Sequence, residues 1–362
     1  MNYVELIERN NEEHNIGKKE LAGILEKADE VYKSNFPSTT WFERSIFINW
    51  TCAIADCKYC YLSTMPKLDR KAVRSMESVL AESLICKKMG WKIGYITGGL
   101  RVEPTKYIIG LMENMRKITK EKVAMNFGPY SEREILEFKP YISGMGSAIE
   151  SFDEKLHDFI CPSKPLKSLL KSLEILKREE IPSFITIILG MGEREEDVNA
   201  VIEQIKKWSI SKVQLCFLKP QEDTMFFKSK APSAEYMAWW ISNIRIACPK
   251  ICIKVALVRE RIKDLPLMLK AGCNSFTRFL VFNDFCTPLA NELEDACKAA
   301  GRRLEGNFTK LPEIDIDSAL MESELPNELK EKVRQKAIQY YEKLRKLSKR
   351  ADYLCLNSQE FE

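Results

Sequence analysis

What most limits the fold of this chain is a rhythm. Between residues 45 and 281, short apolar stretches at 45–49, 92–97, 122–127, 144–149, 183–189, 212–217, 251–257 and 275–281 are separated by stretches of helical periodicity. The first helical stretch, 71–89, carries Val73, Met76, Val79, Leu80 and Leu84 at helix spacing; the others fall near 104–118, 131–138, 165–178, 193–208, 234–247 and 260–271. Parallel strands cannot be joined by tight turns, so each needs a crossover, and alternating strand and helix marks βαβ units. Eight such units predict an α/β fold of the (β/α)8 TIM-type barrel, with reactive groups at the C-terminal ends of its strands. The flanks lack the rhythm. Residues 1–34 read as helices with Leu6, Leu21, Ile24 and Ala28 on an apolar face, ended by Pro37; 289–300 and 326–349 read as helices after the barrel. The expected division is an N-terminal helical extension (1–40), a barrel (41–288) and a C-terminal helical extension (289–362).

Directly after the first apolar stretch, SIFINWTCAIADCKYCYLS gathers Cys52, Cys57 and Cys60 in one loop. Thiolates are the soft ligands that iron–sulfur clusters and zinc select. Three are one fewer than a structural zinc or a closed four-iron cluster takes. The sequence has two histidines, His14 and His157, and no second Cys-x-x-Cys. A three-thiolate centre with one open iron position follows; the plainer alternative is a zinc site completed by a distant cysteine such as Cys86. Hydrophobic residues at 45% and charged residues at 30% describe an ordinary globular chain, and a net charge of +4 makes no case for a nucleic-acid surface. No apolar run is long enough to span a membrane. Twelve cysteines, with no apolar targeting core in MNYVELIERNNEEHN, lead to the expectation of a cytoplasmic protein.

The cysteine loop resembles that of the radical S-adenosylmethionine (SAM) superfamily, whose usual spacing is C-x3-C-x2-C. The resemblance implies a [4Fe–4S] cluster held by Cys52, Cys57 and Cys60, with SAM's methionine amino and carboxylate groups on the fourth iron. It implies reductive cleavage of SAM to methionine and a 5′-deoxyadenosyl radical. Tyr59 matches the superfamily's aromatic position beside the adenine. The spacing here is C-x4-C-x2-C, one residue longer in the first gap. The superfamily also includes open, six-strand partial barrels, so the last two units could pack separately.

Other strand ends extend the resemblance. Thr97, Gly98 and Gly99 are similar to a double-glycine position that contacts SAM's amino group. Leu100 stands where an acid is usual, which leaves backbone carbonyls and Thr97 for binding. Alone, the two glycines would mark only a turn. Glu150 falls where biotin-synthase-like and hydrogenase-maturase-like enzymes, along a run through His157 and Lys164, place a carboxylate that binds SAM. Alone, it would be a solvated loop acid. Gly190 and Gly192 resemble a glycine motif under the adenine, although they also suit a turn into a helix begun by Glu193, Glu195 and Glu196. Residues 217–224, Arg245, Pro249 and 271–274 resemble the same branch. Cys216, Cys248 and Cys252 read as small buried hydrophobes.

The likeness covers about residues 35–285. Within the biotin-synthase-like branch, the long first gap resembles that of the HmdB-like proteins of the iron-guanylylpyridinol cofactor of [Fe]-hydrogenase, which are described with five intervening residues. That subgroup implies radical assembly of a substituted pyridinol. It implies a small-molecule substrate, lined here by residues such as Tyr95, Arg101 and Thr224, and an electron donor such as ferredoxin or flavodoxin. No nucleic-acid or membrane partner is expected. Maturation of another hydrogenase, sulfur insertion and carbon-skeleton rearrangement are alternatives. A zinc-stabilised barrel acting as a binding protein is the alternative from another class.

Overall fold

Eight parallel strands close on themselves in the computed structural model, which describes Leu6, Arg9 and residues 16–358. They are β1 (Thr39–Phe47), β2 (Lys92–Thr97), β3 (Met125–Asn126), β4 (Met145–Glu150), β5 (Ser183–Leu189), β6 (Lys212–Phe217), β7 (Cys252–Ala256) and β8 (Ser275–Thr277). Each pairs with its successor, Ile46 opposite Ile96 and Ile187 opposite Leu215, and Trp41 opposite Ser275 joins β8 back to β1. The barrel is therefore complete rather than a six-strand partial one.

Helix α1 (Lys18–Asn35) precedes β1. Around the barrel run α2 (Met76–Lys88), α3 (Thr105–Thr119), α4 (Glu132–Phe138), α5 (Glu154–Ile160), α6 (Leu166–Arg178), α7 (Asp197–Lys207), α8 (Ala234–Ala247) and α9 (Leu265–Lys270). Their apolar stripes hold them to the sheet: Leu169, Leu173 and Leu176 of α6 are fully buried at helical spacing. A Ser131–Glu134 capping box fixes the start of α4. After β8 come α10 (Val281–Asp284), α11 (Pro288–Ala299), a short strand β9 (Arg303–Glu305), α12 (Ile316–Met321) and α13 (Asn327–Ser358). No helix among the described residues is long and apolar enough to cross a membrane.

The strand boundaries differ from the sequence reading where charge intrudes. β1 begins at Thr39, six residues before the expected 45, because Glu43 points into the barrel. It meets Lys212 at 2.8 Å and Lys254 at 3.1 Å there, so the strand has a polar inner face that apolar periodicity cannot show. β8 stops at Thr277, since Arg278 takes a left-handed φ of 71°. The C-terminal extension is not wholly helical: β9 pairs in parallel with the start of β1, Thr39 opposite Arg303. At the N-terminus, Leu6, Leu21 and Ala28 are buried and Ile24 is partly so. Residues 1–5, 7–8 and 10–15, including His14, lie outside the described residues. Cys216 is buried, whereas Cys248 and Cys252 are only half-buried.

Candidate active site

The segment after β1 leaves the barrel mouth and returns. Asn49 bridges Val73, Trp50 N–H donates to Ala72 O at 2.8 Å, and Arg74 N–H donates to Ile48 O at 2.9 Å, so the loop is closed at its base. Within it, Ala55 adopts a left-handed φ of 43°, and this turn accommodates the additional residue between Cys52 and Cys57. Three neighbouring strand ends hold the loop. Ala53 N–H donates to Leu100 O after β2 (3.0 Å), Lys58 N–H to Ile160 O after β4 (2.8 Å), and Met225 N–H to Lys58 O after β6 (3.0 Å).

Cys52, Cys57, Tyr59 and Cys60 line one cavity with Thr97, Gly98, Gly99 and Glu150. Cys52 is buried, Cys57 and Cys60 half-buried. Leu100 N–H donates to Cys52 Sγ at 3.3 Å. Burial pushes the Cys60 thiol up to about 11, whereas a side-chain hydrogen bond from Cys161 lowers Cys57. Among the described residues no three His, Cys, Asp or Glu side chains converge on one metal ion. Four thiolates on a zinc at 2.3 Å would stand about 3.8 Å apart. Cys86 lies instead on α2, in the core beside Glu82 and Arg44. Three thiols lining one cavity suit the soft ligand set of an iron–sulfur cluster.

A buried ion pair lines the same cavity. β4 shifts register against β5 between Ala148 and Glu150, and Glu150 takes a φ of 58°. Such a bulge re-aims a side chain, and a left-handed carboxylate residue is the kind of strain kept at functional sites. Glu150 Oε1 accepts from Tyr59 Oη at 2.6 Å, and both its oxygens accept from Lys164 Nζ at 2.9 Å. Lys164 also donates to Ala148 O at 2.9 Å. Burial alone would lower the Lys164 ammonium, but Glu150 together with the neighbouring Cys161 and Cys57 raises it. Burial, then Glu150, holds the Tyr59 phenol protonated well above its ordinary range. His157 braces this corner, with its ring nitrogens 2.5 Å from Ile149 O and 2.7 Å from Lys164 O.

The glycines are there for the loop. A Cβ on Gly99 would stand 1.7 Å from Thr51 O, and one on Gly98 would meet the Asn49 amide at 2.8 Å. Gly99 N–H donates to Asn49 Oδ1 at 2.7 Å. Both glycines line the cavity, but bare Cα atoms are required by the close approach of the cysteine loop. Gly190 and Gly192 have φ of 98° and 101°, and Glu193 accepts from Gly190 N–H at 2.7 Å and Met191 N–H at 2.9 Å, so this carboxylate braces a turn. Three expected substrate contacts lie elsewhere. Tyr95 donates to Gln214 inside the barrel (2.9 Å), Thr224 Oγ1 to Gln221 O in its own loop (2.7 Å), and exposed Arg101 lines a separate cavity with Arg70, Glu103 and Tyr130. Asn49 emerges only from the structure as part of the site, as does the role of Lys164 as partner of Glu150; the sequence marked Lys164 only as the end of a resembling run.

The layout is a (β/α)8 barrel with three thiols lining a cavity at the C-terminal ends of its strands. The sequence profile described as the Radical SAM superfamily matches residues 51–205. An uncharacterized protein of Methanocaldococcus jannaschii is 34% identical over 307 residues, covering 83% of this chain and 84% of its own length. A biotin synthase of Pelodictyon phaeoclathratiforme is 22% identical over 270 residues, covering 71% and 80%. In fold, the chain is similar to the FeFe-hydrogenase maturase HydG from Carboxydothermus hydrogenoformans, with a TM-score of 0.66 and 15% identity over 98% of this chain and 90% of that one. The chain belongs to the radical SAM superfamily.

Proposed function

We propose that this protein is a radical SAM enzyme of cofactor biosynthesis, with a [4Fe–4S] cluster on Cys52, Cys57 and Cys60 and SAM against Glu150. The supporting observation is the single cavity lined by three thiols and a buried carboxylate–ammonium pair. When bound, the reduced cluster supplies the electron that cleaves SAM to methionine and a 5′-deoxyadenosyl radical. The chain's own groups bind and orient. Glu150 offers acceptors for SAM's hydroxyl or ammonium donors, and Lys164 a cation for its carboxylate. Tyr59 holds Glu150 in place, while Ile54 and Leu62 line the cavity with apolar surface that excludes water. The electron comes from a donor such as ferredoxin or flavodoxin, and the substrate is a small molecule.

The particular product we propose is the pyridinol of the iron-guanylylpyridinol cofactor of [Fe]-hydrogenase, on the strength of the long Cys52–Cys57 gap. Deuterated pyridinol precursors test it: deuterium in 5′-deoxyadenosine supports the assignment. Transfer only from a thiolation or maturase substrate would move the chain to another branch. A second reading, a biotin-synthase-like or hydrogenase-maturase-like enzyme, draws support from the biotin synthase and HydG likenesses.

A further inference from the structure

His157 lies in the last turn of α5 and is fully buried. Its ring sits between the backbones of the two members of the ion pair. Nδ1 is 2.5 Å from Ile149 O, one residue before Glu150, and Nε2 is 2.7 Å from Lys164 O. The helix holds the ring in place. Asp153 caps α5 by accepting from Leu156 N–H at 3.1 Å, and His157 N–H donates to Asp153 O at 2.8 Å. The loop back to Lys164 is closed as well, Leu166 N–H donating to Asp158 Oδ1 at 2.8 Å and Lys164 N–H to Cys161 O at 2.9 Å. Glu150 needs such a tie, because its φ of 58° is a strained conformation that the surroundings must impose.

A carbonyl oxygen only accepts, whereas a neutral imidazole has one N–H and one bare nitrogen. In either neutral tautomer, one ring lone pair would point at a carbonyl oxygen across 2.5 or 2.7 Å. The geometry is met when both nitrogens carry a proton. We infer that His157 is a positioning residue that works as an imidazolium. Its two N–H groups fasten Ile149 and Lys164, and through them the Glu150–Lys164 pair. The inference rests on the reading of that pair as the contact for SAM. Burying a charge is costly unless it is hydrogen-bonded. Here each N–H has an acceptor, and the ring stands at the carbonyl end of its helix.

Two measurements test it. The sequence has two histidines, so nitrogen-15 histidine labelling of the reconstituted protein gives a spectrum that a His14→Gln variant assigns. At neutral pH both ring nitrogens of His157 should report as N–H, each coupled to its own proton. One N–H beside one bare nitrogen overturns the inference. In calorimetry, His157→Gln keeps one donor nitrogen, so SAM affinity should fall about tenfold, roughly the worth of one lost hydrogen bond, with iron content at the wild-type level. A merely structural histidine would lower the melting temperature of this variant and leave the SAM affinity of the iron-loaded protein unchanged, which also overturns the inference. Glu150→Ala separates the two readings. Wild-type SAM affinity in that variant would overturn the pair as the SAM contact and this inference with it. Weakened binding there beside an indifferent His157→Gln would remove His157 alone.

Discussion

The barrel buries an ion pair at each end, and the two differ in what their carboxylates face. At the N-terminal end, Glu43 accepts from Lys212 (2.8 and 2.9 Å), Trp41 Nε1 (3.1 Å) and Ser275 Oγ (3.3 Å), with Lys254 Nζ 3.1 Å away. Its carboxyl stays below the ordinary range although burial raises it, because Lys254 and then Lys212 outweigh the burial. Every oxygen is used by the protein itself. At the C-terminal end, Glu150 has Tyr59 and Lys164 and then a cavity lined by thiols. The N-terminal cavity is the larger, about 640 Å³ against about 130 Å³. Chemistry, not volume, picks the site: barrels place catalysis at the C-terminal mouth and stability at the other.

The largest expected effect separates the ends completely. Cys57→Ala should abolish 5′-deoxyadenosine formation from SAM while the protein still melts cooperatively near the wild-type temperature. Nearly as large is Gly99→Ala. Its Cβ collides with backbone, so the cysteine loop must move, and iron content should fall together with SAM binding. If iron stayed at the wild-type level, Gly99 would be a ligand contact rather than a packing one.

Glu43→Ala reverses the pattern. It strands a fully buried Lys254, and breaking such a pair costs about 3–5 kcal/mol in urea unfolding. SAM affinity of the folded fraction should be retained. The pH dependence has a definite sign. A carboxyl whose pKa is depressed by folding contributes stability above its unfolded value, about 4.3, and loses it as pH falls. Wild type should therefore lose more stability than Glu43→Gln on acidification below that point. The smallest effect on the site is Glu150→Ala, expected to weaken SAM binding of the folded fraction by about 1.5–3 kcal/mol through lost charged hydrogen bonds. The fold is destabilised as in Glu43→Ala, because buried Lys164 loses its partner. Calorimetry should show the weaker binding with iron content intact.

The same contrast explains what the sequence could reveal. Seven of the crossovers were legible because their helices carry apolar stripes and their strands are apolar. β1 was misplaced because its inner face is Glu43, whose partners Lys212 and Lys254 lie on β6 and β7. β9 has three residues and no periodicity to read. In the site, the cysteines share one loop and were read from their spacing. Glu150 came only from the resemblance of its stretch to biotin-synthase-like enzymes, since its place after an apolar strand alone would have made it a solvated loop acid. The pairing of Lys164 with Glu150 depends on a contact between the end of β4 and the loop after α5 that no local pattern encodes. Gly99 was read as a ligand approach; that its bare Cα also makes room for Thr51 O depends on a contact with the cysteine loop that the sequence alone does not show.

The measurement closest to the central claim is anaerobic reconstitution with iron and sulfide, followed by reduction in the presence of SAM. The account predicts about four irons per chain, as such a cluster requires, a brown reducible chromophore, and 5′-deoxyadenosine with methionine in equal amounts. A colourless protein holding one zinc and leaving SAM intact, or full SAM cleavage by Cys57→Ala, would contradict it.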